Sequence, residues 1–160
     1  MSTTTYANDV NVPASNSSAV GNISADTVSW TLVRVATGAI LIPHGAQKLF
    51  GWFGGHGLVG TGQFFEQSLG LAPGLLFAGL AGLTEFVGGL LLVFGLLTRL
   101  SALAVVGVMA YAVFFVHLSN GFFWTNGGYE FPLLWGLVAI ALVIRGGGPL
   151  SVDNKIGWRY

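Results

Sequence analysis

The chain has 160 residues, of which 53% are apolar and 8% charged, against roughly 25% charged in an ordinary soluble domain. Six basic residues balance six acidic ones, which excludes an electrostatic pull toward nucleic acid or acidic substrates. The absence of cysteine excludes disulfide exchange, thiolate catalysis and Cys-ligated zinc or iron–sulfur centres in this chain.

Residues 1–27 are rich in Ser, Thr, Asn and Ala and carry no Lys or Arg, the composition of a flexible polar tail. With no basic stretch ahead of an apolar run, this tail is not expected to act as a secretory signal. Apolar segments follow at 28–50, 74–97, 100–118 and 129–145. A hydrocarbon core of about 30 Å needs about 20 helical residues, which the first three segments supply and the fourth approaches. The expected fold is therefore all-α: a polytopic membrane protein whose four-transmembrane-helix bundle occupies 28–153, with a short tail at 154–160. Between the first two helices, residues 51–73 place Phe64, Phe65 and Leu69 beside Gln63, Glu66 and Gln67, a pattern that suits a short interfacial helix. Only Thr98 and Arg99 join the second and third helices, which makes them antiparallel neighbours.

Arg99, Arg145, Lys155 and Arg159 fall on one side of this arrangement, with Arg34 just inside the first helix. Basic residues near helix ends stay cytoplasmic, so both termini are expected inside, with Arg34 snorkelling to the same surface. Trp30 marks that interface, and Trp52, Phe53, Phe122, Phe123, Trp124 and Tyr129 mark the outer one.

An ionisable side chain in a membrane helix costs about 2.5–3.5 kcal/mol on insertion scales, so each one asks for a partner or a function. Arg34, Thr37, Leu41, His44 and Lys48 recur at helical spacing and give the first helix a polar face that should point into the bundle. In the second helix Ala78, Gly82, Glu85 and Gly89 share one face, so another helix can approach the Glu85 carboxylate closely. His117 ends the third helix and Glu130 begins the fourth. Five ionisable groups, His44, Lys48, Glu85, His117 and Glu130, thus converge from four helices on the outer half of the membrane. Each also has a purely structural reading. The glycines serve packing, Lys48 snorkels, His44 is a satisfied bundle histidine, and His117 and Glu130 are interfacial. No HxxxH or ExxH pair occurs, so no metal is assigned. A short echo joins two of the histidines: His44 is followed at offsets of ten and eleven by Gly54 and Gly55, and His117 by Gly127 and Gly128.

Three stretches carry a family resemblance: residues 32–51 (LVRVATGAILIPHGAQKLFG), 80–99 (LAGLTEFVGGLLLVFGLLTR) and 117–130 (HLSNGFFWTNGGYE). Together they resemble the DoxX family of small four-helix bacterial membrane proteins, over about 28–153. The resemblance implies an inner-membrane protein linked to oxidoreduction, since one branch of the family is similar to the membrane subunit of a thiosulfate:quinone oxidoreductase. On that basis the outer cluster is expected to bind a quinone headgroup. His44 and Lys48 would contact its oxygens with His117 and Glu130 nearby, and Glu85 would act as the catalytic proton-exchanging carboxyl. Electrons would come from a redox partner subunit. The alternatives are a non-enzymatic scaffold or assembly factor, whose polar cluster locks helix register, and a small transporter or proton path.

The topology is tested with single cysteines placed in the cysteine-free chain. In intact cells an impermeant thiol reagent should label a cysteine at Thr61 or Thr125 and spare one at Ser151. Labelling at Ser151 overturns the inside-facing C-terminus.

Overall fold

The computed structural model describes residues 23–158. Most of the expected N-terminal tail, and Arg159, lie outside them. Within them the protein is all-α: α1 Ala25–Phe50, α2 Gly57–Leu69, α3 Gly74–Phe94, α4 Thr98–Tyr111, α5 Glu130–Arg145 and α6 Val152–Lys155. Short 3₁₀ turns occupy the connections, and α4 runs on through a π-helical segment, Ala112–His117. α1, α3 and α4 with its continuation to Asn120 are each long and apolar enough to cross a membrane. Their outward faces expose Leu32, Leu80, Leu83 and Leu103, as a hydrocarbon solvent requires. α5 has 16 residues, about 24 Å at the helical rise, so three spans and one shorter apolar helix stand where four spans were expected.

In lipid no hydrophobic force drives helix against helix, so close backbone approach and polar contacts must hold the bundle together. α1 lies against α3 along the stripe of small residues. A Cβ on Gly89 would sit 2.8 Å from the carbonyl of Gly38, and one on Gly45 would sit 2.7 Å from the carbonyl of Gly82 and collide with the backbone nitrogen of Phe86. α4 and α5 complete the bundle around Leu41, Leu92, Ala102, Val105 and Leu142. The expected interfacial helix is α2, packed on α3 and α1. Its Glu66 accepts a bond from the Gly74 backbone N–H at 3.0 Å and so ties α2 to the free N–H groups that open α3.

At the end of the molecule where α1 begins, several boundaries differ from those expected. Ser24 caps α1 by accepting a bond from the Thr27 N–H at 3.1 Å, so the helix starts inside the stretch expected to be tail. α3 stops at Phe94 because Gly95 takes a left-handed conformation, φ 69°, and the Leu96 N–H turns back to the Leu91 carbonyl. The Asp153 carboxylate accepts from the backbone N–H groups of Leu97 and Thr98 at 2.7 and 2.8 Å, which starts α4 at Thr98 rather than Leu100. Asp153 is therefore structural, and the expected domain edge at 153/154 falls inside α6.

Arg34 points into the bundle with the rest of the polar face of α1, but not toward the membrane surface. It does not snorkel: it is 2% exposed, and its guanidinium donates to the carbonyls of Leu92, Val93 and Leu150 at 2.5, 2.8 and 2.8 Å. A cation at the carbonyl end of α3 satisfies groups the helix leaves open and complements its dipole. The segment after α5 folds over it and seals it from water. Alongside, Arg145 pairs with Asp26 and stacks over Trp30.

The close α1–α3 contact makes a sharp contrast testable. Gly45→Ala should destabilise the detergent-purified protein by about 3 kcal/mol through overpacking. Gly88→Ala, whose Cβ meets nothing within 4 Å, should be neutral or slightly stabilising by helix propensity. Thermal unfolding of the two variants reads both outcomes.

Candidate functional site

The α1–α3 contact carries Lys48 across to Glu85, whose Oε2 accepts a bond from the lysine Nζ at 2.6 Å. Glu85 is 4% exposed, in the middle of an apolar helix where an unpaired carboxylate would be costly. Lys48 supplies the compensating charge from the last turn of α1. The pair is asymmetric, since the Lys48 side chain is 25% exposed and the Glu85 side chain 6%. Nζ also lies 3.5 Å from the His44 carbonyl one turn back. With three N–H donors, Lys48 keeps one for another acceptor.

Beside this pair lies a partly open cavity of about 930 Å³, bounded by α1 through α5, within the size range of small-molecule sites. Its walls are largely apolar, from Leu41, Phe77, Met109, Phe131 and Trp135 among others, while His44, Lys48, Glu85 and His117 supply ionisable groups. The structure thus brings four of the five expected residues to one cavity. Glu130 is not among those that line it. Its Oε2 accepts from the Trp124 N–H at 3.2 Å and its own N–H donates to the Phe122 carbonyl at 3.0 Å, so it ties the loop ahead of α5 into shape.

The placement of His117 depends on the π-helical segment, where the apolar run by itself implies continuous α-helix. Residues five apart in an α-helix differ by about 140° around the axis, whereas π hydrogen bonding brings them onto one face. Ala112, Val116 and His117 accordingly all border the cavity. The His117 Nδ1 stands 2.6 Å from the Gly127 carbonyl, which also accepts from Asn120. A carbonyl can only accept, so Nδ1 carries the hydrogen and, in the neutral ring, Nε2 is left as an acceptor. Nothing in the sequence assigns Gly127 this role, although the ten-residue offset between His117 and Gly127 is visible there. Among the described residues no three His, Asp or Glu side chains gather in a metal-ligand arrangement.

The DoxX family profile matches residues 29–118, a stretch that contains most of α1, all of α2, α3 and α4 and most of this cavity's polar groups. The chain belongs to the DoxX family. It is 38% identical over 106 residues to an uncharacterized protein of Haemophilus influenzae (strain ATCC 51907 / DSM 11121 / KW20 / Rd), covering 61% of this chain and 79% of that protein. A Bacillus subtilis (strain 168) protein named "Putative oxidoreductase CatD" is 35% identical over 126 residues, 79% of this chain and 85% of its own length. No solved structure matches. As a multi-pass DoxX protein, the chain has the lipid bilayer as its surroundings.

The ion pair is separable from the rest of the DoxX bundle by substitution. Lys48→Met strands the buried Glu85 carboxylate, a loss of about 3–5 kcal/mol, whereas Glu85→Leu leaves a lysine side chain that is 25% exposed and should lower thermal stability less. The Lys48→Met, Glu85→Leu double variant should recover more than half of the larger loss in the same unfolding measurement.

Proposed function

We propose that this DoxX protein is a quinone-binding subunit of a membrane oxidoreductase. In this reading it sits in the bacterial plasma membrane with both termini cytoplasmic and α5 as its fourth, short crossing. The observation that carries the reading is the cavity of about 930 Å³, apolar over most of its wall and polar only around Lys48, Glu85, His44 and His117. An amphipathic ring with a hydrocarbon tail matches that division. The gathering of Arg34, Arg145 and Lys155 at the end where α1 begins and α5 stops supports the orientation. The name of the Bacillus subtilis relative supports an oxidoreductase.

The residues present fit such a group in both of its oxidation states. Carbonyl oxygens need donors, and Lys48 retains an unused N–H while His44 borders the cavity. Hydroxyls need acceptors, which His117 offers at Nε2 and Glu85 at its carboxylate. The quinone would supply two-electron, two-proton carrier chemistry, and a partner subunit would supply the electrons, since this chain has no cysteine. Glu85 would hold a proton within reach of Lys48, and the apolar wall would exclude water from the site.

A scaffold function is the second reading, favoured by the mutual satisfaction of Lys48 and Glu85, which needs no ligand. A thermal-shift titration with a short-tailed quinone in detergent separates the two. Ligand at a hundred times its dissociation constant should stabilise the wild type by about 2.7 kcal/mol. His44→Ala and His117→Phe should weaken that shift, and Lys155→Ala, at the far end, should not. No shift in the wild type at any soluble concentration sinks the quinone reading.

A further inference from the structure

A second cavity of about 600 Å³ lies outside the first, between the end of α1 and the start of α2. Its character is different. Gln47, Lys48, His56 and Thr61 line it with Gly54, Gly55, Gly60, Phe64 and Phe65, so four polar side chains and bare backbone share its wall with two phenylalanines. Lys48, Phe64 and Phe65 border both spaces, and among the described residues Lys48 is the one charged side chain to do so. This accounts for the asymmetry of the ion pair: Lys48 is the partly exposed member and Glu85 the buried one.

We propose that the outer cavity is a water-filled vestibule through which the Lys48–Glu85 pair exchanges protons with the aqueous phase at the α1 C-terminal end. Lys48 is its gate residue, and Phe64 and Phe65 are the apolar partition that keeps this water out of the main cavity. A site holds water when it is roomy and offers two to four polar partners. Here Gln47, Thr61, His56 and the Lys48 ammonium provide them. The architecture holds the rim open. Gln47 donates to the Phe53 carbonyl at 3.3 Å, and the Thr61 hydroxyl reaches the Lys48 carbonyl at 3.5 Å. A side chain at Gly60 would press on His56, its Cβ only 2.9 Å from the histidine Cβ.

A proton that arrives on Glu85 from the main cavity leaves by two transfers. Lys48 releases one of its three protons to vestibule water and takes the Glu85 proton in its place. The pair returns to ammonium and carboxylate, and one hydronium appears in the vestibule. His56, exposed at the cavity edge, accepts that proton next. The other titratable groups around the pair, His44 on α1, Tyr111 on α4 and His117 at the end of the π segment, lie on the main-cavity side. This route serves the quinone reading, but the water connection stands on the two cavities alone.

The test uses thiol access in the otherwise native, cysteine-free chain. Cysteines at Thr61 (vestibule, 8% exposed), Lys48 (gate) and Ala81 (main cavity, 9% exposed) are exposed to a charged trimethylammonium methanethiosulfonate and, separately, to N-ethylmaleimide, which enters apolar space. Thr61→Cys and Lys48→Cys should react with the charged reagent within roughly tenfold of the exposed Thr125→Cys, because a permanently charged reagent enters only hydrated space. Ala81→Cys should react with that reagent at least about a hundredfold more slowly than Thr61→Cys, while still taking up N-ethylmaleimide. Should Lys48→Cys fail to fold for want of a partner to Glu85, Thr61→Cys alone decides. A Thr61 thiol as slow toward the charged reagent as the Ala81 thiol overturns the vestibule whatever the quinone titration shows. An Ala81 thiol as fast as the Thr61 thiol overturns the partition. A fast Thr61 thiol with no quinone shift leaves the vestibule standing and removes the quinone reading.

Discussion

The close contact of α1 with α3 is the constraint on which the rest of this protein depends. Gly38 meets Gly89 and Gly45 meets Gly82 with no room for another carbon. Because lipid gives helices no hydrophobic reason to associate, that shape match is what sets the register of the pair. The register then places two long basic side chains. Arg34 reaches the last carbonyls of α3 and Lys48 reaches Glu85. They stand fourteen residues apart, about 21 Å along α1, so one helix is pinned to its neighbour at two well-separated levels.

The two pins differ in chemistry. Arg34 is buried under the segment that follows α5 and bonds to backbone carbonyls, groups that hold no proton to exchange. Asp153 sits in the same layer and fixes the α3–α4 turn through two backbone N–H groups. That end is an anchorage of fixed charges on fixed dipoles. Lys48 and Glu85 instead both border the large apolar cavity, and Lys48 alone of the two also borders the smaller one outside it. A buried ion pair contributes little net stability over an apolar replacement.

Local irregularities complete the site where regular helix would not. A continuous α-helix through residues 112–117 would turn His117 about 140° away from Ala112, and the π segment brings the two toward one face. The Gly127 carbonyl then sets which ring nitrogen of His117 carries the hydrogen. The loop that supplies this carbonyl is held by Glu130, which acts on the cavity through backbone shape rather than by lining it.

How much of this the sequence could reveal follows the range of the interactions involved. Apolar run lengths, the polar face of α1 and the small-residue stripe around Glu85 are periodic signals within single helices. They determined the all-α membrane character, the amphipathic α2 and the candidacy of His44, Lys48, Glu85 and His117 before any coordinates. Nothing local joins Arg34 to Leu150, 116 residues away, or Asp153 to Thr98, 55 residues away. From sequence, therefore, Arg34 has the pattern of a snorkelling residue and Asp153 that of the edge of a tail. Only the folded chain decided that Lys48 binds Glu85 rather than lipid headgroups, that Glu130 supports a loop and that a π segment aims His117. Each of these is a choice among partners that a side chain of that type accepts equally well, and it is made by which backbone lies within reach.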